Sequence, residues 1–398
     1  MSTFRPVCWY CGESYEIEPI YTCRRCKGTL EIHYDYEQIC SKAYFTRLAA
    51  SSGSEIWRFR ELLPILPEGR TISLGEGGTP LIRTNNILNI ANNQSLHLKM
   101  ESINPTLAFK DRPLAVAITA AAQFGLNEVV CASTGNTGVA AAAYAARAGL
   151  RCTIYVPEST PEEKRSAMEQ YGAVLHTVEG HYSDAYRVAE EMAVARQAFN
   201  LTSTYMNPYA VEGNKTVAYE LAFQLGKVPD WIIVPIGAGP LLSGIYKGFK
   251  EMKLAGFTDK LPRMAGVQAE GCAPIVKAFH DGEADVQPWS GPAQTIASGI
   301  ADPLLTYPAD GTRTLSVIRE SEGIALAIAD AELIRYRRLL AEREGVLAEL
   351  SSVTAVAAAA HMQQTGLLEQ NATVVSIVTG HGLKDMSAAI NHTKGSVL

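Results

Sequence analysis

Trp231-Ile-Ile-Val-Pro-Ile-Gly-Ala-Gly-Pro-Leu-Leu-Ser-Gly244 passes from an unbroken apolar run through a glycine-rich turn into an amphipathic segment. A short apolar run bounded by a turn reads as a strand buried on both faces, and Leu241 to Leu254 behind it reads as a helix. The same alternation recurs on both sides. LHLKM (96–100), EVVCAS (128–133), CTIYVP (152–157), AVLHTV (173–178), MAGVQAE (264–270) and ATVVSIVTG (372–380) read as further strands. Arg112 to Gly125, Gly138 to Gly149, Pro161 to Tyr171, Ser183 to Gln197 and Glu212 to Gly226 read as helices. Strand and helix alternating this often give parallel sheets covered on both faces, an α/β fold. The Ala-rich runs 140–146 and 355–360 read as tightly packed helices.

Composition agrees with that reading. The 398 residues predict two to three domains, and 47% hydrophobic against 19% charged residues supply cores and exclude disorder as the main state. Lys plus Arg number 35 against 41 Asp plus Glu, a net charge of −6, so no global field attracts a nucleic-acid backbone. No apolar run approaches the roughly 20 residues that cross a bilayer, and Met1-Ser-Thr-Phe-Arg-Pro lacks a secretory apolar core. A cytoplasmic protein with no membrane partner is expected.

Four of the eight cysteines fall within the first 26 residues, as Cys8-Trp-Tyr-Cys11 and Cys23-Arg-Arg-Cys26. Two CxxC knuckles at this spacing match a small zinc ribbon, whose four thiolates close a tetrahedral shell with no position left for water. Such a zinc would be structural, and reduced, metal-free cysteines are the alternative. Residues 1–35 are the expected module. Cys131, Cys152 and Cys272 lie in apolar contexts and read as buried thiols.

In this fold class ligands gather where strands end and helices begin. Three turns sit there: Ser133-Thr-Gly-Asn-Thr-Gly138, Gly237-Ala-Gly-Pro240 and Thr379-Gly-His-Gly-Leu-Lys-Asp385. The turn at 237–244 lacks the Lys-Ser/Thr of a nucleotide loop and the spacing of a dinucleotide fingerprint, and suits one terminal phosphate monoester held on backbone N–H groups. The turn at 133–138 offers hydroxyls, an amide and helix-start N–H groups, a set suited to a carboxylate, although an ordinary capping turn has the same composition. Lys110, in Asn104-Pro-Thr-Leu-Ala-Phe-Lys-Asp-Arg-Pro113, stands among apolar neighbours at a helix start. Desolvated there, its amine would be poised to condense with an aldehyde; otherwise it is a surface charge.

Together with SLGEGGTPL (73–81), MNPYAVEGNKT (206–216) and GVQAEG (266–271), these motifs resemble, in order and over nearly the whole chain, the fold-type II pyridoxal-phosphate enzymes, and within them the threonine synthases. The resemblance implies a tryptophan synthase β-like architecture. A smaller domain, 110–222, would be inserted into a larger one built from 36–109 and 223–398. It implies that Lys110 binds the cofactor's aldehyde and that Asn136 hydrogen-bonds its 3′ oxygen. Gly237, Ala238, Gly239, Pro240 and Leu241 would cradle its phosphate, and Thr379 would stand beside its pyridine nitrogen. Ser133, Thr134 and Thr137 would receive the substrate carboxylate. A homodimer acting on a small amino acid is the family expectation. The implied reaction converts O-phosphohomoserine, or a related γ-activated homoserine, to threonine by γ-elimination and β-hydration.

The chain departs from that pattern on the substrate side. Ala210 stands where the family carries an arginine for the substrate phosphate, and Leu107, Ala108 and Pro113 replace the small residues around the lysine. The cradle reads GAGPLL in place of GNAGN, and the stretch after Thr295-Ile-Ala-Ser-Gly299 lacks the family continuation. Either Asn214, Lys215 or another basic residue replaces the arginine, or the substrate has no γ-phosphate. In the second case β-elimination or β-replacement, as in serine, threonine or diaminopropionate ammonia-lyases, is the alternative. Glu349 reads equally as a cleft residue or a helix cap, His381 as a turn-shaping residue, and Asp111 and Arg112 as orienting the lysine helix.

Overall fold

Apolar strands that must bury both faces cannot stand alone, and here they assemble into two parallel sheets, each flanked by helices. The computed structural model describes residues 4–87, 95–158, 160, 162–180, 182–202 and 204–386. Pro161, the first residue of one expected helix, lies outside them. The larger sheet runs Ile324–Ile328, Arg263–Ala269, Trp231–Pro235, Thr373–Ile377, Ser95–Lys99, Leu81–Arg83. All its pairings are parallel except that of the edge strand Leu81–Arg83. The second sheet runs Val174–Val178, Arg151–Pro157, Glu128–Ala132, Phe199–Asn200, parallel throughout. The seven strands expected from the sequence are all present. Three edge strands lie beyond those expected: Leu81–Arg83 and Phe199–Asn200 are too short to show a pattern, and Ile324–Ile328, although its IALAI run is apolar, is half-exposed at the sheet edge and rich in alanine, which favours strands weakly.

The helix Asp111–Gln123 begins at Lys110 and is anchored at its first turn by a buried ion network. Arg112 Nε donates to Glu101 at 2.7 Å and its Nη1 to Glu220 at 2.6 Å, while Lys99 Nζ donates to Glu220 at 2.6 Å. Two cations and two carboxylates, all buried, satisfy one another and tie the lysine helix to the strand Ser95–Lys99 and the helix Thr216–Leu225. Asp111 accepts from the N–H and hydroxyl of Thr106 at 2.9 and 2.8 Å, which fixes the loop entering Lys110. Gly213 ends the helix Pro208–Gly213 against the backbone of Arg112, where any side chain would strike the Arg112 carbonyl. The expected helix from Glu212 to Gly226 is thus two pieces, Pro208–Gly213 and Thr216–Leu225.

At the N-terminus Phe4–Cys8 pairs antiparallel with Leu30–Tyr34. Between them the sulfur atoms of Cys8, Cys11, Cys23 and Cys26 all lie within 4.8 Å of one another, and none forms a disulfide. Among the described residues no helix is long and apolar enough to cross a membrane.

Candidate active site

The turns that end Glu128–Ala132, Trp231–Pro235 and Thr373–Ile377 converge on one cavity of about 320 Å³, within the range of small-molecule sites. Lys110, Ser133, Thr134, Asn136, Thr137, Gly237, Ala238, Gly239, Pro240, Leu241 and Thr379 all line it. The loop holding Lys110 runs beside the Thr379 turn, with Phe109 N–H on the Thr379 carbonyl at 2.9 Å and His381 N–H on the Leu107 carbonyl at 3.0 Å. Leu107 has φ 63, in the left-handed region that favours glycine, so this departure from the small-residue pattern carries backbone strain into the site. Burial pushes the Lys110 amine from 10.5 down to about 8, against upward pulls from Cys131 and Asp302.

Opposite the lysine, Gly239 caps the helix Pro240–Leu254 with φ 95, and its missing side chain leaves room for Thr314, whose hydroxyl donates to the Ala238 carbonyl at 2.5 Å. The N–H groups of Gly237, Ala238 and Gly239 meet no acceptor among the described residues. Three open donors at a helix N-terminus fit a phosphate monoester. Thr379 Oγ1 lies 2.8 Å from the Ser352 hydroxyl, which also accepts the Gly380 N–H at 2.8 Å. In the 133–138 turn the Ser133 hydroxyl accepts from Gly138 N–H at 2.9 Å and Gly135 N–H at 3.2 Å, so it holds the loop open as well as facing the cavity. Asn136 Nδ2 donates to both Glu349 oxygens at 3.1 and 2.9 Å. Burial raises the Glu349 carboxyl to about 7, against the pull of Lys384 and the Asn136 bond. Of its two readings, the cleft residue is the observed one: its side chain makes no cap bond to the helix Leu350–Gln364.

Asn214 and Lys215, expected at the substrate's phosphate, do not line the cavity. Lys215 Nζ is spent on Glu212 at 2.7 Å and Glu251 at 2.9 Å and sits 3.9 Å over the Tyr34 ring, fully buried. Asn214 packs behind the cradle, its amide 3.4 Å from the Pro240 carbonyl. The basic residues that do face the cavity beside Lys110 are Lys164 and Lys384. Lys164 Nζ reaches the Ser298 hydroxyl at 3.3 Å, and Lys384 donates to the Thr106 carbonyl at 2.7 Å. Lys164 escaped the sequence reading because it sits in Glu162–Gln170, a charged helix that reads as a solvated face. Asp302, Tyr182 and Tyr307 also line the cavity and also went unread, since they lie in a loop and at helix edges without a motif.

The family model described as pyridoxal-phosphate dependent enzyme matches residues 72–380. The threonine synthase of Methanocaldococcus jannaschii is 40% identical over 386 residues, 96% of this chain and 93% of that one. The threonine synthase of Methanosarcina acetivorans is 38% identical over 387 residues, again 96% and 93%. Among solved structures, a fungal L-serine ammonia-lyase from Rhizomucor miehei superposes with a TM-score of 0.69 at 23% identity, covering 82% of this chain and 100% of that one, a likeness of fold.

Proposed function

The chain belongs to the pyridoxal-phosphate-dependent enzymes, as a lyase of the threonine synthase family, and we propose that it converts O-phosphohomoserine to threonine and phosphate. The observation that carries this reading is the 40% identity to a threonine synthase along 96% of the chain, joined to a desolvated lysine facing a phosphate-sized cradle. Pyridoxal phosphate, when bound, supplies an aldehyde for amines and a ring that withdraws electrons from the bonds at Cα. In this reading Gly237, Ala238, Gly239, Pro240 and Leu241 hold its phosphate, Asn136 its 3′ oxygen and Thr379 its ring nitrogen. Lys110 would hold its aldehyde, and its free amine would be the base that takes the substrate's α-proton. An amine whose proton is held at about 8 exists in useful amounts in both forms near neutrality, which a base that must also return protons requires. Ser133, Thr134 and Thr137 bind the substrate carboxylate. Lys164, with the Ser298 hydroxyl beside it, supplies the phosphate contact that Ala210 does not. Movement of 110–222 against 36–109 and 223–398 would exclude water during the elimination.

One observation favours a second reading. With no guanidinium at 210 and Lys215 committed elsewhere, the substrate side is poorer in cations than a phosphate dianion prefers, which suits ammonia loss from a β-hydroxy amino acid. The deciding experiment supplies the cofactor-loaded protein with O-phosphohomoserine and quantifies phosphate and threonine together. Matched release supports the first reading; 2-oxo acid from serine or threonine with no phosphate release replaces it by the second.

We also read Cys8, Cys11, Cys23 and Cys26 as a structural zinc site. The Cys8–Cys26 and Cys11–Cys23 sulfur separations of 3.4 and 3.6 Å approach the roughly 3.8 Å edge of a tetrahedron with about 2.3 Å bonds. A homodimer completes the proposal, to be checked by light scattering.

A further inference from the structure

The cavity wall formed by residues 298–307 carries a carboxyl group that neither the cofactor contacts nor the lysine chemistry uses. Asp302 Oδ1 accepts from the Tyr307 hydroxyl at 3.0 Å and from Leu304 N–H at 3.1 Å, so the side chain is held in one orientation. Its Oδ2 has no hydrogen-bond donor among the described residues and lies 3.5 Å from where a Cβ on Gly237 would stand. That point is the first residue of the cradle, at the strand end that the cavity opens onto. The neighbours of the carboxyl are phenols: Tyr307, whose ring stacks on Tyr186 at 5.0 Å, and Tyr182, whose hydroxyl is taken by the Ala132 carbonyl at 3.2 Å. No arginine or lysine forms an ion pair with it among the described residues, and its charge is felt by Lys110 across the cavity. With Oδ1 pinned by two donors, the half-buried side chain presents Oδ2 to the cavity, where a ligand hydroxyl can take the place of water on it.

We propose that Asp302 is the residue that reads the oxygen on the substrate's Cβ, its open Oδ2 accepting the hydrogen of a β-hydroxyl. The site is thereby selective for L-α-amino acids that carry, or acquire, oxygen at Cβ. In the hydration direction the same atom orients the incoming water. The water oxygen bonds to Cβ of the unsaturated substrate and its proton passes to Oδ2. The electron pair of the Cα–Cβ double bond moves to Cα, which takes a proton back from the Lys110 ammonium. The inference rests on the lyase reading of the cavity and deepens it, and it holds for either reaction considered above.

The test uses product binding. The cofactor-loaded protein is titrated with L-threonine and with L-2-aminobutyrate, which differs only in lacking the hydroxyl, and dissociation constants are read from the change in visible absorbance. The wild type should favour threonine by about tenfold or more, the value of a hydrogen bond to a charged acceptor. Asp302→Ala should bring the ratio within about twofold, and Asp302→Asn, which keeps an acceptor oxygen but no base, should restore much of the ratio while threonine formation stays slow. Tyr307→Phe, which frees Asp302 to turn, should lower the ratio in a protein that retains the carboxyl, and it decides the matter where Asp302→Ala does not load cofactor. A wild-type ratio near one, or a ratio that none of these substitutions moves, overturns the proposal. Absence of phosphate release from O-phosphohomoserine with the ratio still collapsing in Asp302→Ala would instead remove the threonine synthase reading and leave the role of Asp302 standing.

Discussion

Replacing Lys110 with methionine should stabilise the cofactor-free protein, and by an amount that depends on pH. Methionine keeps the unbranched stem and removes the charge. Burial lowers the amine from 10.5 to about 8, so between these values the unfolded chain binds a proton that the folded chain has released. Stability therefore rises with pH across that window, and below about pH 8 the folded protein carries the full cost of a desolvated ammonium. A separation of about 2.5 pH units, at about 1.4 kcal/mol each, sets that cost at no more than about 3.5 kcal/mol. Lys110→Met should accordingly exceed the stripped wild type by up to about 3.5 kcal/mol at pH 7, and the advantage should vanish near pH 10.5. Urea unfolding of both proteins at pH 7 and pH 10, followed by tryptophan fluorescence, measures this difference while the other titrating groups cancel. An advantage of the same size at both pH values would trace to packing alone and refute the reasoning. So would no advantage at pH 7. The same amine should set the rate at which the stripped protein recaptures pyridoxal phosphate. About one-tenth of it is neutral at pH 7, so the rate should climb to about pH 8 and then level off.

Gly239→Ala combines a φ of 95 with a Cβ that would overlap the Thr314 side chain; cofactor affinity, followed by fluorescence titration, should fall at least about tenfold. Leu107→Gly releases left-handed strain but loosens the unfolded chain, so stability should change by less than about 1 kcal/mol in either direction, where a glycine substitution elsewhere in a loop is expected only to destabilise. Glu349 should release its proton at about pH 7 while bonded to Asn136, so the visible band of the loaded wild type should change between about pH 6 and 8; a band that moves equally in Glu349→Gln assigns the titration elsewhere. One zinc per chain should be found by metal analysis, and its removal by a chelator should lower the thermal midpoint; a metal-free protein of unchanged midpoint removes the zinc site.

That the three strand-end turns and Lys110 line one cavity was legible in the chain because each is built locally. The open N–H groups of Gly237, Ala238 and Gly239 follow from a strand, a tight turn and a helix start that are contiguous in sequence, and the same holds for Ser133 to Gly138 and for Lys110 at the head of its helix. The substrate side was not legible. Lys215 had the right charge and neighbourhood for a phosphate ligand, yet Glu251, 36 residues away in sequence, claims its ammonium in the core.

The sequence by itself determined the α/β alternation with seven of its strands, the three cavity-facing turns and the paired cysteine knuckles, since periodicity and turn chemistry act over a few residues. Only the tertiary structure decided which ionisable groups face the cavity. Asp302 and Lys164 enter it, and Glu349 meets Asn136 across 213 positions of chain, because a cavity wall is assembled where distant loops meet and a charge is free for ligands only if no buried partner reaches it first.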